Sequence, residues 1–232
     1  FVQICLIFWN QRKHMNCIFS IKKEYSDLIF DGTKPFEFRN ICPKLNENDK
    51  IYLYETKSSG CGKVVGYFTV DDIEEINHKK IKIGTYLYID TYAKLFCDKE
   101  TQSAINKIKQ IHFDNYYDSY ALDFLFMDDK IIEEMIKTHK PFQRDFWQMS
   151  REEIIAYNAL RQKQTDFLTD CDQWLNKIGF YNHYGDESTW KYQITIKDII
   201  KFETPIDISA FKLRNGKSLT KAPQSFCYVK EI

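Results

Sequence analysis

The chain carries no net charge, since 33 Lys and Arg are balanced by 33 Asp and Glu. No global field therefore draws it to a polyanion, and any site for one must be a local patch. It also lacks a CxxC pair. Its seven cysteines, at 5, 17, 42, 61, 97, 171 and 227, are odd in number and scattered. That pattern argues against a disulfide framework or a zinc site and fits reduced thiols in a cytoplasmic protein. The histidines at 14, 78, 112, 139 and 183 show no metal-ligand spacing. A glycine-rich phosphate loop, HExxH and GxSxG are all missing, so the nucleotide-cradle, metalloprotease and serine-hydrolase readings have no motif to stand on. No cofactor is expected. No apolar run is long enough to span a bilayer. The run Phe1 to Trp9 is far too short, and its basic residues Arg12 and Lys13 follow it, the reverse of a secretory signal. Met15 is the expected natural start, with residues 1–14 an upstream extension; an extra strand is the competing reading.

Against these absences stand 44% hydrophobic and 16% aromatic residues, with 18 Phe and 15 Tyr, enough for a substantial core in one large domain or a domain with a subdomain. The organising stretch runs from Ile18 to Thr69. Ile18-Phe19-Ser20-Ile21 reads as a strand. Tyr25, Leu28 and Ile29 then fall at helical spacing within 24–30, and Gly32 stands where a left-handed cap is expected. A turn through Lys34-Pro35 feeds a second strand, in which Phe36 and Phe38 share one face and Glu37 and Arg39 the other. Ile51 to Glu55 and Val64 to Val70 read as two more strands, joined by the turn-rich Lys57-Ser58-Ser59-Gly60-Cys61-Gly62. The order is strand, helix, strand, hairpin, with Gly-x-Lys-x-x-Glu-x-Arg between helix and second strand.

Gly32, Lys34, Glu37 and Arg39, followed by Asp49 to Glu55 and Val64-Val65-Gly66, resemble an ASCH domain. The resemblance covers roughly Cys17 to Ile73 and resumes in Trp190 to Phe202 and in Pro223 to Phe226. It implies an α+β fold built on a small β-barrel similar to PUA RNA-binding domains. The intervening region, which it does not cover, reads as a multi-helix insertion between early and late strands. Residues 15–83 would then form the first part of the barrel, 84–189 the insertion and 190–232 the closing strands.

Along the chain, the acidic run Asp71, Asp72, Glu74, Glu75 and the basic Lys79, Lys80, Lys82 read as solvated faces. From Gly84 the pattern is helical, with Tyr88, Tyr92, Leu95 and Phe96 on one face, though 86–89 also suits a strand. A helix is expected over 101–111, and one or two more over 118–139, stopped by Pro141. Ser150-Arg151-Glu152-Glu153 is a capping box. The stripe Ile154, Tyr157, Leu160, Phe167, Leu168, Cys171, Trp174, Leu175 continues that helix to a stop at Gly179. Trp190 to Ile196 alternates as a half-buried strand, and Phe226 to Val229 closes the sheet.

Lys34, Glu37 and Arg39 place two cations and one carboxylate together. Such a group can hold a phosphate through Lys and Arg while Glu accepts from a base amino group; it also suits an ion-pair network that orients the turn. The resemblance favours binding, because in ASCH proteins this motif lines the cleft proposed for RNA or nucleotides. Ser20 and Lys22 extend a basic rim or are ordinary surface. Tyr54, sharing an outward face with Tyr52, is placed to stack on a base or to cover a neighbouring element. Gln224 and Ser225 match a late family-like segment and reach toward the same mouth. Cys61 and His183 read as an idle surface thiol and a structural loop residue. The first expectation is thus a module binding RNA or a modified nucleotide, with the insertion widening the surface or docking a protein, and no membrane partner. The alternative is an amidohydrolase acting on acylated cytidine, because small bacterial ASCH proteins include such enzymes with a Lys, a Thr and a Glu proposed as catalytic. Lys34 matches that Lys, but Glu37 stands at the Thr position, and the distal Glu has only Glu74 and Glu75 as candidates.

Overall fold

A computed structural model of the chain describes residues 15–76, 88–108, 149–181 and 190–230. The chain divides into two compact units, one of residues 1–76 with 178–232 and one of residues 77–177. The extension 1–14 and the helices expected over 118–139 lie outside the described residues.

The first unit is a six-stranded sheet. Its elements in chain order are β1 (Asn16–Ile21), α1 (Lys23–Phe30), β2 (Phe36–Arg39), β3 (Lys50–Glu55), β4 (Val64–Glu75), β5 (Tyr192–Ile206) and β6 (Phe226–Val229). The sheet order is β2-β5-β4-β3-β1-β6. β1 and β3 are parallel, as the crossover through α1 and β2 requires, and every other pair is antiparallel. The alternation at 190–196 called for a partner sheet, and β5 pairs with both β2 and β4.

Three register shifts between β4 and β5, with Asp198 at φ 40, bend these long strands. The sheet curls into a half-barrel. Closure into a complete barrel was expected, but among the described residues no ladder joins the edge strands β2 and β6. β2 is only four residues long, and a side chain, Arg39, reaches back to the Ser20 carbonyl on β1 instead.

Both faces of the central strands are buried, which explains why β1 and β3 read as near-continuous apolar runs. On the inner face Cys17, Phe19, Ile51, Leu53, Phe68 and Val70 pack against Ile29, Tyr25 and Phe30 of α1. On the outer face Ile18, Tyr52, Tyr54 and Val64 lie under Ile208, Phe211 and Leu219. Gly66 of β4 is the tight point, because a Cβ there would strike the Ile200 carbonyl and come 2.8 Å from the Phe30 ring. β4 runs five residues beyond the expected end, carrying Asp71, Asp72, Glu74 and Glu75, with their side chains exposed, along β5. Trp190 stays out of the strand, and its indole N–H donates to the Gly179 carbonyl at 2.9 Å.

The second unit holds α2 (residues 88–96), α3 (Lys99–Ile108) and α4 (Arg151–Lys177). The capping box forms as the sequence demands: the Glu153 amide donates to Ser150 Oγ at 3.2 Å and the Ser150 amide to Glu153 Oε2 at 2.8 Å. α3 starts earlier than expected because Asp98 accepts the Thr101 amide at 2.8 Å and caps it, which also lowers the Asp98 pKa. In α4 the buried side chains are Gln164, Phe167, Cys171, Trp174 and Leu175, a helical stripe confined to the second half. In α2 Tyr88, Ile89 and Ala93 are buried, whereas of the expected apolar face Leu95 and Phe96 are exposed, the Phe96 ring still meeting Trp174 at 6.3 Å. Tyr92 meets Phe167 edge-on at 5.7 Å and Trp174 at 5.8 Å.

Candidate functional site

The turn that carries the site is set by local chemistry. α1 ends at Phe30, Gly32 takes φ +80, and the Asp31 carboxylate accepts the Thr33 amide at 2.8 Å. The Lys34 amide donates to the Leu28 carbonyl at 2.8 Å, and the Pro35 carbonyl accepts from the Ile196 amide at 2.9 Å, tying the turn to β5. β2 then runs with Glu37 opposite Ile194 and Arg39 opposite Tyr192.

Lys34 is 3% exposed. Its ammonium donates to the Ile178 carbonyl at 2.5 Å, lies 3.6 Å from Glu37 Oε2, and sits 4.8 Å from the Phe38 ring centroid and 5.3 Å from that of Tyr25. Burial pushes its pKa down; Glu37 opposes the shift and Arg39 adds to it. Glu37 is also buried. Its Oε1 lies 2.8 Å from Arg39 Nε, an ion-pair contact in which the Nε–H is not aimed at the oxygen. Arg39 is the outermost member, with 15% of its side chain exposed. It donates through Nη2 to the Ser20 carbonyl at 3.1 Å and lays its guanidinium 4.6 Å from the Phe19 ring centroid.

Ser20 and Ser225 join this group as expected neighbours. The Ser20 amide donates to the Ser225 carbonyl at 3.2 Å, and Ser20 Oγ donates to the Pro223 carbonyl at 2.6 Å. Gln224 is exposed on the same segment. Lys22 points to solvent and pairs with Glu24 at 3.3 Å, 5.9 Å from the Tyr25 ring centroid. Tyr54 is elsewhere. It faces outward from the sheet, as its alternation with Leu53 requires, but it is 4% exposed, within the outer cluster that includes Ile208, Phe211 and Leu219. The loop-rich stretch 207–219 covers that face, so Tyr54 and Tyr52 offer no open stacking platform. Three parts of the site escaped the sequence: the aromatic walls Tyr25 and Phe38, and the Ile178 carbonyl. Tyr25 and Phe38 were legible only as core-facing residues, and a backbone carbonyl leaves no trace in composition.

A second buried glutamate, Glu55, takes neutral donors. It accepts from Ser26 Oγ at 2.9 Å and from the Cys61 amide at 3.1 Å, fixing the loop 56–63. Cys61 is exposed, and burial and Glu55 raise its pKa against the backbone bond to Lys63 that lowers it. Among the described residues no group of three or more His, Cys, Asp and Glu could hold a metal ion. Among them, too, no helix is long and apolar enough to cross a membrane.

A curled, mainly antiparallel sheet with a helix against its inner face and a charged turn on its edge is the frame of a PUA-like domain. A family model described as the ASCH domain matches residues 19–206, and the chain belongs to that family, whose members are generally RNA-binding-like. No curated protein matches the chain. Among solved structures, the ASCH protein of Zymomonas mobilis is similar over 93% of this chain and 88% of its own, at 12% identity and a TM-score of 0.39. A Tyr-to-Phe variant of that protein gives 93%, 91%, 12% and 0.39.

Proposed function

We propose that the protein binds RNA or a modified nucleotide at the Lys34–Glu37–Arg39 turn. The observation that supports this is the charge count of the buried group. Two cations share one carboxylate, and among the described residues no second acid pairs with them. A buried group with one surplus positive charge is costly until an anion neutralises it, and a phosphate does so with the bidentate geometry that Arg39 offers. In this reading Ser20, whose carbonyl accepts from Arg39, and Ser225 and Gln224 on the segment bonded to Ser20 supply hydroxyl and amide partners for a base or ribose. Lys22 adds a cation on the Tyr25 side. In this reading the helical unit widens the surface or docks a protein, and the protein works in the cytoplasm without a cofactor.

The test is a titration of cytidine monophosphate and of single-stranded RNA against wild type and Arg39→Gln, with thermal melts alongside. Arg39→Gln is expected to lose binding while remaining folded. A folded Arg39→Gln protein that binds both ligands as wild type does ends this reading. Lys34→Met is the poorer probe, because its burial means that stability and binding fall together.

One observation favours the amidohydrolase alternative: burial holds Lys34 below its usual pKa, which makes a neutral, nucleophilic or basic amine easier to reach. Glu37 would then polarise or orient the acylated cytidine. Release of acetate from N4-acetylcytidine by wild type, lost in Lys34→Met and Glu37→Gln, is the expected result. No release at substrate saturation rules it out.

A further inference from the structure

The neutral chain hides a one-sided segment. Residues 208–230 carry Lys212, Arg214, Lys217, Lys221 and Lys230 and no Asp or Glu. This segment lies beyond the family match, which ends at residue 206. All five basic side chains are exposed, and among the described residues none of them pairs with a carboxylate.

The fold brings four of them, Lys212, Arg214, Lys217 and Lys230, to the β6 edge. The Lys230 amide donates to the Lys212 carbonyl at 2.9 Å, and Leu213 bridges to Val229, so the segment folds back along the free edge of β6. A tight turn follows, in which the Leu213 amide donates to the Lys217 carbonyl at 2.8 Å and Gly216 takes φ +83. Arg214 lays its guanidinium 4.7 Å from the Tyr228 ring centroid, and the Tyr228 hydroxyl accepts the amide of Lys44, another exposed cation, at 2.7 Å. From Tyr228 the chain runs back along β6 to Ser225, which holds Ser20, whose carbonyl takes Arg39. Three residue steps separate Tyr228 from Ser225, about 10 Å of extended chain. The cations therefore lie along the same β6 edge strand that leads back to the segment holding Ser20.

We infer that this edge is a backbone track for a single-stranded polynucleotide whose one nucleotide sits at the Lys34–Glu37–Arg39 turn. The inference rests on the binding reading above and makes its ligand a strand of RNA, with phosphates on the 212–230 edge. A row of exposed cations with an Arg-stacked tyrosine matches a sugar-phosphate strand and its bases. A membrane surface fits poorly, because no large apolar side chain of the segment is fully exposed: Ile208, Phe211 and Leu219 are buried, and Leu213 and Phe226 are half-buried against the two cores.

The experiment uses the full chain with Lys212, Lys217, Lys221 and Lys230 all changed to Gln; Arg214 is kept because it packs on Tyr228. Binding of a single-stranded RNA of roughly a dozen nucleotides is measured against salt, and cytidine monophosphate is titrated separately. Each cation removed should lower the logarithmic salt slope by about 0.7, so the four together by about 3, with RNA affinity falling by about tenfold or more at low salt. Melting temperature and mononucleotide binding should not move. Unchanged RNA affinity and slope in the variant overturn the track, as does a wild type that binds no RNA, or one that binds anionic phospholipid vesicles through these lysines but not RNA. If wild type ignores the mononucleotide yet its RNA binding depends on the four lysines, the turn site fails and the track stands.

Discussion

Two buried glutamates of the sheet are treated in opposite ways. Glu37 and Glu55 are both 5% exposed. Glu55 sits at the end of β3 and is satisfied by a hydroxyl and a backbone amide, with no cation contacting it among the described residues. Glu37 sits on the edge strand between Lys34 and Arg39. The first arrangement is closed: its donors are neutral, and they fix one loop against α1. The second is open: it leaves one positive charge over and one member, Arg39, at the surface. Equal burial thus marks a structural acid in one place and a candidate site in the other, and the partners decide which.

The largest effect should come from removing the acid that serves two cations. Glu37→Leu leaves Lys34 and Arg39 buried without a counter-charge and is expected to cost about 3–5 kcal/mol in urea denaturation. If the loss is under about 1 kcal/mol, the group is solvated and the contrast with Glu55 collapses.

Lys34→Met comes next. It leaves Glu37 paired with Arg39 but strips the Ile178 carbonyl of its donor, for about 1–3 kcal/mol near neutral pH. The pH dependence carries a definite sign. Folding lowers the Lys34 pKa below its ordinary 10.5, so between the folded value and 10.5 the unfolded chain holds more protons. Stability then rises with pH in that window, and the penalty for burying the charge is full only below it. Denaturation midpoints from neutral pH to just under 10.5 should show wild type gaining on Lys34→Met as pH rises. A constant gap would mean that Lys34 titrates as an exposed lysine does.

Glu55→Gln should cost only about 1 kcal/mol, because the amide oxygen can still accept one neutral donor. A loss as large as that of Glu37→Leu would mean that Glu55 carries a charge the fold depends on. The smallest effect concerns thiols. At mildly alkaline pH, iodoacetamide should modify exposed Cys61 well before Cys42, whose thiol burial pushes to about 11, or Cys171, pushed to about 12. Mass spectrometry of tryptic peptides checks the order. Modification of Cys171 first would contradict the packing of α4.

The sequence by itself determined the elements whose signals are local. The strands at Ile51 to Glu55 and Tyr192 to Ile196, the capping box at Ser150, Gly32 at φ +80 and the Lys34–Glu37–Arg39 grouping all follow from side-chain pattern and turn chemistry within a few residues. Only the tertiary structure decided what depends on contacts between distant segments. The sequence could not foresee that 207–219 folds over Tyr54, that β4 continues through an acidic run because β5 runs beside it, or that the sheet stops at a half-barrel. Nor could it tell how deep the charged turn lies. Lys34 is enclosed by Tyr25, Phe38 and the Ile178 carbonyl, the last of these 144 residues away, and a residue's local pattern says which way it points but not what long-range packing places over it.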